Sequence, residues 1–198
     1  MTDINEHLYF HLAPHYPQTI KSILEKGLCP AVSACEYTDP RPFVYLASSI
    51  AEAQQLVSCM RWNNGFPDIL KNIPRKGKFV SWGDQMRMMK KYKPEKIEQF
   101  AVFAVWMGDI EEDLITRLAI NADGQGWTRE YLYPHPIDSE RLQYIGMLDL
   151  TGILKSPSDC EMRIIFPNKR SVHLDDFMKK FRDEGFISCM NHYLLGTV

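Results

Sequence analysis

The chain lacks the features that would mark it as a membrane or secreted protein. In its 198 residues no stretch approaches the run of about 20 apolar residues that a membrane-spanning helix needs. Residues 1–6 show neither the basic start nor the apolar core of a secretory signal. We therefore expect a cytoplasmic protein with no membrane partner.

The five cysteines form no pattern that predicts a disulfide framework or a metal site. They stand at positions 29, 35, 59, 160 and 189, an odd number, with no CxxC pair. No cluster of histidines and cysteines has the spacing of zinc ligands either. The expectation is a set of reduced, mostly buried thiols and a protein without a metal.

Extreme composition and internal repetition are also missing. Hydrophobic residues make up 45% of the chain and charged residues 24%, which is typical of a globular domain and excludes disorder as the default. A net charge of −2 argues against a protein that coats nucleic acid with its whole surface. No period of about 20 to 50 residues is visible, so a repeat protein is not indicated.

The charge is, however, unevenly distributed. Residues 75–96 carry eight Lys or Arg against Asp84 and Glu95, which makes this segment +6 and the remainder −8. One interpretation is a solvated face of a helix over about 82–92; the other is a surface that attracts an anionic acceptor, either nucleic acid or an acidic protein. The candidate acceptor-binding residues are Arg75, Lys76, Lys78, Trp82, Lys90 and Lys91.

Hydrophobic periodicity predicts strands and helices in a mixed order. The predicted helices cover residues 17–26 and 49–61 and a segment that starts at Leu174 and ends before Gly185, with Pro17 as a first helical residue and Ser49 to Glu52 as a capping box. The predicted strands are His7 to Leu12, the run that starts at Phe43, Ile97 to Met107, Arg129 to Tyr133, Leu142 to Asp149, and Glu161 to Phe166.

Three of these strands contain a side chain that could bind a ligand or take part in catalysis. They are His11, Tyr45 and Glu130. Each also has an ordinary structural interpretation: His11 as a hydrogen-bonded core histidine, Tyr45 as a core aromatic and Glu130 as a solvated carboxylate that opens its strand. Ser48 and Ser49 likewise suit helix capping better than ligand binding.

Short segments around these residues resemble the ADP-ribosyltransferase family, in the branch whose motif is His, Tyr and Glu on three successive core strands. The similarity covers about residues 1–148. It is carried by short segments whose order and spacing both agree with those of the family. The matching segments are Leu8–Pro14, Ile20 with residues 22–30, Val44 to Ser48, and Glu130 to Leu132 ahead of Ile137 and Ile145.

The resemblance implies a fold and a cosubstrate. The fold class is α+β, an ADP-ribosyltransferase-like split β-sandwich of two small, mostly antiparallel sheets with flanking helices. Residues 1–150 would form the catalytic domain, with a basic insert at about 65–96, and residues 151–198 a C-terminal extension packed on the core. The cosubstrate would be NAD, with no metal.

The resemblance also implies roles for individual residues. Glu130 would hydrogen-bond the 2′-hydroxyl of the nicotinamide ribose, His11 the adenosine-side ribose, and Tyr45 would stack on the nicotinamide ring. The implied NAD-binding residues are His11, Leu12, Ala13, Arg41, Tyr45 and Ser48. Thr128 stands where arginine-modifying members carry Glu or Gln, which argues against arginine as the acceptor.

The implied function is mono-ADP-ribosylation of a macromolecule, protein or nucleic acid, with release of nicotinamide. One alternative is a catalytically inactive protein of the same fold that binds or inhibits a partner through residues 75–96. A phosphotransferase that removes a 2′-phosphate from RNA shares the fold and NAD. Its motifs are rich in arginine, whereas this chain has Tyr45 and Glu130 there.

Overall fold

The computed structural model describes residues 7–31, 42–54, 97–120, 127–150 and 162–195. Within these ranges helices and strands are mixed, and every strand pairing is antiparallel. The strands are β1 (Leu8–Pro14), β2 (Val44–Leu46), β3 (Gln99–Trp106), β4 (Ile115–Ile120), β5 (Trp127–Tyr133), β6 (Leu142–Asp149), β7 (Arg163–Ile165) and β8 (Ser171–His173). The helices are α1 (Pro17–Lys26), α2 over residues 50–54, α3 (Leu174–Glu184), α4 (Phe186–Met190) and a π-helical turn (Asn191–Leu195).

The larger sheet has the order β1-β3-β6-β7-β8, with β3 near its centre. The nearly unbroken apolar run from Ile97 to Met107 predicts a strand that is covered on both faces, and residues 100–105 of β3 are all buried. Phe100 and Val102 point into one core with Phe177 of α3. Phe103 and Val105 point to the opposite side.

The smaller sheet has the order β2-β5-β4 and packs on that opposite side. Val44 and Leu46 of β2 and Tyr133 of β5 share a core with Tyr9 and Val105 of the larger sheet. The two sheets therefore face each other across an apolar layer. The described elements form no closed barrel, which confirms the α+β class with two antiparallel sheets.

A short link joins the two sheets edge to edge. The backbone N–H of Phe10 donates to the carbonyl of Ala47 at 2.8 Å, and the N–H of Ala47 donates back to Phe10 at 3.0 Å. This bridge places β1 beside β2, while β2 pairs with β5 on its other side. The strands that carry His11, Tyr45 and Glu130 are thus neighbours in space.

The two helices beside these strands begin where local chemistry predicts, and α1 also ends where it predicts. Pro17 opens α1, and Gly27 ends it with φ 79°, a conformation that suits glycine. At α2 the hydroxyl of Ser49 accepts the backbone N–H of Glu52 at 3.1 Å, so the predicted cap is confirmed. Residues 55–61 of the predicted helix lie outside the described residues.

Several local features differ from the sequence prediction. The first strand continues through Ala13 to Pro14 because both residues still pair with β3, whereas we predicted a stop at Leu12. In β6 the alternation of Leu142, Tyr144, Gly146 and Leu148 predicts a regular strand, but a register shift opposite Val102 and Phe103 breaks it, so that Ile145 and Leu148 lie in the same core.

The described part of the C-terminal segment belongs to the larger sheet. The predicted strand at 161–166 appears as β7, and its pairing with β6 and with the additional strand β8 extends the sheet. The predicted helix appears as α3, and its residue Phe177 is fully buried in the core. Phe181 meets Phe10 of β1 edge to face at 6.0 Å, so this segment shares one core with the N-terminal strand.

Candidate functional site

His11 lies at the boundary between the two sheets. Alternation along β1 turns its imidazole toward β2, where Nδ1 lies 2.9 Å from the carbonyl oxygen of Tyr45. A carbonyl oxygen only accepts, so Nδ1 carries the proton and Nε2 remains an acceptor. Burial lowers the pKa of His11 below its ordinary value, and the hydrogen bond to Tyr45 opposes this only in part, so the ring is neutral at about pH 7.

Glu130 is a buried residue in the middle of β5, not the solvated start of a strand. Its exposed fraction is 7%. It lies directly opposite Arg117 of β4, whose Nε donates to Oε2 of Glu130 at 2.7 Å. The Nη2 group of Arg117 donates to the same oxygen. Burial raises the pKa of Glu130, and the hydrogen bonds and charge of Arg117 oppose that rise.

The other carboxylate oxygen of Glu130, Oε1, is not bound by Arg117. Among the described residues none donates a hydrogen bond to Oε1. In the same part of the chain no buried side-chain oxygen or nitrogen is without a hydrogen bond. Oε1 therefore reaches an accessible surface, where it can accept a hydrogen bond from a hydroxyl group.

Tyr45 shares a sheet face with Glu130. It pairs with Leu132, and Glu130 is two residues away from Leu132 on the same face. The half-buried ring of Tyr45 has the guanidinium carbon of Arg117 at 6.0 Å from its centroid. Arg117 thus lies between the phenol of Tyr45 and the carboxylate of Glu130.

The three residues of the predicted motif are brought together, but through intermediaries. His11 contacts the backbone of Tyr45, and the ring of Tyr45 approaches Glu130 by way of Arg117. The resulting path crosses strands β1, β2, β4 and β5. These residues offer a hydrogen-bond acceptor at Nε2 of His11, the flat aromatic face of Tyr45, and the carboxylate of Glu130, of which one oxygen is bound by Arg117.

The remaining predicted site residues are less directly placed. Leu12 and Ala13 are buried on opposite faces of β1 and pair with β3. Ser48 is exposed, and its backbone N–H and hydroxyl both donate to the carboxylate of Glu52. Outside the described residues lie Arg41, Arg75, Lys76, Lys78, Trp82, Lys90 and Lys91.

Sequence reasoning missed Arg117. The strands predicted from the sequence do not include the residues around it, whereas these residues form β4. A basic residue between Thr116 and Leu118 is an ordinary pattern for an edge strand. The signal that singles out Arg117 is its register opposite Glu130, and that register appears only in the folded chain.

A second cluster of polar side chains was also missed. Glu111, in the 3₁₀ helix Gly108–Asp113, accepts the hydroxyl of Tyr9 at Oε1 and pairs with Nδ1 of His7 at Oε2. Burial and the carboxylate raise the pKa of Tyr9 well above its ordinary value. Burial of Glu111 acts to raise its own pKa, but the hydrogen bonds from Tyr9 and His7 outweigh this and lower it.

Comparison of the chain with protein-family models, with curated proteins and with solved structures finds no match in any of the three. Among the helices that the structure describes, none has the length and apolar character to cross a membrane. Within the same ranges no group of three or more His, Cys, Asp or Glu side chains is arranged to hold a metal ion.

Proposed function

We propose that the protein is an NAD-dependent mono-ADP-ribosyltransferase that modifies a macromolecule, protein or nucleic acid, and releases nicotinamide. The observation that supports this most is the state of Glu130. Its carboxylate is buried, is paired through Oε2 with Arg117 and leaves Oε1 accessible. A fixed carboxylate beside an aromatic face can stabilise positive charge that develops on a ribose.

The reaction replaces one bond to the ribose C1′ by another. The bond between C1′ and the nicotinamide nitrogen breaks, and its electron pair leaves with the nitrogen, which loses its positive charge. The sugar carbon passes through an oxocarbenium-like state before a nucleophile of the acceptor binds it and gives up a proton. A fixed negative charge near that sugar stabilises the transition state more than the ground state.

The residues of the site divide this work. Oε1 of Glu130 accepts a hydrogen bond from a ribose hydroxyl and supplies the negative charge. The neutral His11 offers Nε2 as an acceptor for a second ribose hydroxyl, since Nδ1 is committed to the carbonyl of Tyr45. The ring of Tyr45 offers a face for the nicotinamide ring, a contact that contributes roughly 1 kcal/mol.

The test is nicotinamide release and acceptor labelling. Purified protein is incubated with NAD carrying a label on the adenine ring, in the presence of a cell lysate. The wild-type protein should release nicotinamide and label a protein or a nucleic acid, and Glu130→Gln should lower both rates by at least about a hundredfold. Glu111→Gln is the matched control, because it removes a hydrogen-bonded carboxylate elsewhere in the fold.

Two results would remove this proposal. One is a wild-type protein that releases no nicotinamide with any lysate. The other is a Glu130→Gln variant that releases nicotinamide as fast as wild type. Equal losses in both glutamate variants would point to general damage and count against a specific role of Glu130.

A second candidate function is binding without catalysis. The observation in its favour is that Glu130 already has a charged partner. The cross-strand ion pair with Arg117 is by itself a sufficient structural reason for a buried carboxylate at this position. Under this proposal calorimetry detects no NAD binding, while a partner or an oligonucleotide binds through residues 75–96 with an affinity that falls steeply with salt. NAD binding in the micromolar to millimolar range would contradict it.

We place either activity in the cytoplasm. Cys29 is exposed and Cys189 is buried, and both are free thiols. An exposed free thiol is typical of a reducing compartment. Fractionation of cells that express the protein tests this placement.

A further inference from the structure

We infer that Arg117 is a positioning residue for the proposed transfer reaction: it fixes the Glu130 carboxylate by one oxygen so that the other faces the ribose. This inference rests on the proposed function and adds to it a residue outside the His-Tyr-Glu motif. Its basis is the geometry of the contact between strands β4 and β5.

The hydrogen bonds from Arg117 fix both the place and the plane of the carboxylate. Nε and Nη2 belong to one rigid guanidinium plane, and both donate to Oε2 of Glu130. The two residues are direct cross-strand neighbours, so the backbone ladder holds their Cβ atoms close together. With Oε2 held in this way, rotation of the carboxylate is restricted and Oε1 keeps one direction.

Arg117 also connects Glu130 to the aromatic part of the site. Its guanidinium carbon lies 6.0 Å from the ring centroid of Tyr45, at the outer limit of a cation–π contact. A shift of Arg117 would therefore alter the distance between the aromatic face and the carboxylate. Both groups must meet the same nucleoside, so their relative placement affects the rate.

Burial and the neighbouring side chains together set the pKa of Glu130. Burial raises its pKa, and Arg117 on β4 opposes that rise. From β2 the site is faced by the phenol of Tyr45, and from β1 by His11, whose ring is neutral at about pH 7. Arg129 lies on β5 next to Glu130, but alternation turns its exposed side chain to the other face of the sheet, where it bonds Tyr131.

The experiment compares three variants by their pH profiles of kcat and of kcat/KM for nicotinamide release. Arg117→Met removes the charge and both donors, and Arg117→Lys keeps the charge but loses the rigid pair of donors. Arg129→Met is the matched control, because it removes an arginine of the same sheet on the opposite face. Circular dichroism of each variant establishes that it is folded.

The expected results separate positioning from mere structural support. In Arg117→Met the acidic limb of the profile moves to higher pH by about one to three units, because an unopposed buried carboxyl ionises later. In Arg117→Lys the limb stays near that of wild type, while kcat falls about tenfold and KM changes little, because Oε1 is less well oriented. Arg129→Met matches wild type in both.

The activity of wild type tests the transferase proposal, and the Arg117 variants test the positioning role separately. If wild type is active and a folded Arg117→Met variant keeps the wild-type profile, the inference is overturned and the transferase proposal stands. If Arg117→Met does not fold, Arg117→Lys decides, and an unchanged kcat in that variant overturns the inference. A wild-type protein without activity at any pH removes the transferase proposal itself and, with it, a role for Arg117 in transfer.

Discussion

Removal of Arg117 should destabilise the protein in a way that depends on pH and on Glu130. The side chain of Glu130 is 9% exposed, so Arg117→Met leaves a carboxylate that is nearly out of water and without its cation. Removal of one partner of a fully buried ion pair lowers the free energy of unfolding by about 3–5 kcal/mol. The side chain of Arg117 is itself 31% exposed, which admits water to the gap, so we expect a cost at or just below the lower limit of that range, about 2–3 kcal/mol at pH 7.

A second variant and the double variant identify the source of this cost. Glu130→Gln keeps an acceptor oxygen for Arg117 and removes the charge, so it should cost about 1–2 kcal/mol. In the double variant no buried charge remains. Its loss of stability should therefore be smaller than the sum of the single losses, by about 1–2 kcal/mol.

The pH dependence of the Arg117→Met defect provides an independent check. Burial raises the pKa of Glu130 above its unfolded value, and this rise is larger once the guanidinium is gone. A carboxyl with a raised folded pKa binds more protons in the folded state than in the unfolded state. Its contribution to stability is thus present at low pH and is lost as the pH rises through the folded pKa. The deficit of Arg117→Met relative to wild type should shrink as the pH falls from about 7 to 5.

The assay is urea unfolding followed by circular dichroism, at several pH values, for wild type, both single variants and the double variant. A deficit that stays constant with pH would refute the reasoning, because it would mean that lost packing and not an uncompensated charge is responsible. Strict additivity of the two substitutions would refute it as well, since an ion pair must appear as coupling between them.

Two further predictions concern other parts of the fold. Glu111→Gln should cost about 1–2 kcal/mol by weakening the contacts with Tyr9 and His7, and it should flatten the stability curve between about pH 5 and 3. The reason is that the lowered pKa of Glu111 adds stability above its ordinary pKa, which wild type loses on acidification; parallel urea-derived curves would contradict this. Gly27→Ala should lower stability by about 2 kcal/mol or more, because at φ 79° its Cβ would overlap the carbonyl oxygen of Ile137. Thermal unfolding measures this, and a melting temperature equal to wild type would show that the turn relaxes.

Except for β4, the order and type of the elements nearest the site could be predicted from neighbouring residues alone. Pro17 and Gly27 delimit α1, Ser49 begins α2, and the unbroken apolar run of β3 predicted burial on both faces. These features depend on backbone preferences and on hydrophobic spacing within about ten residues, which the sequence displays directly. The adjacency of β1, β2 and β5 was expected only through the resemblance, since nothing local indicates which strands pair.

Tertiary structure alone decided the partners of the candidate site residues. The pairing of Arg117 with Glu130 follows from the register of β4 on β5, and a slip of one residue would send these side chains to opposite faces. Tyr9 meets Glu111 across 102 positions of chain, a contact that no local pattern encodes. The sequence by itself determined which residues are able to donate, accept or carry charge. The long-range packing of two sheets determined which of them meet, because that choice depends on the free energy of the whole core and not on any short segment.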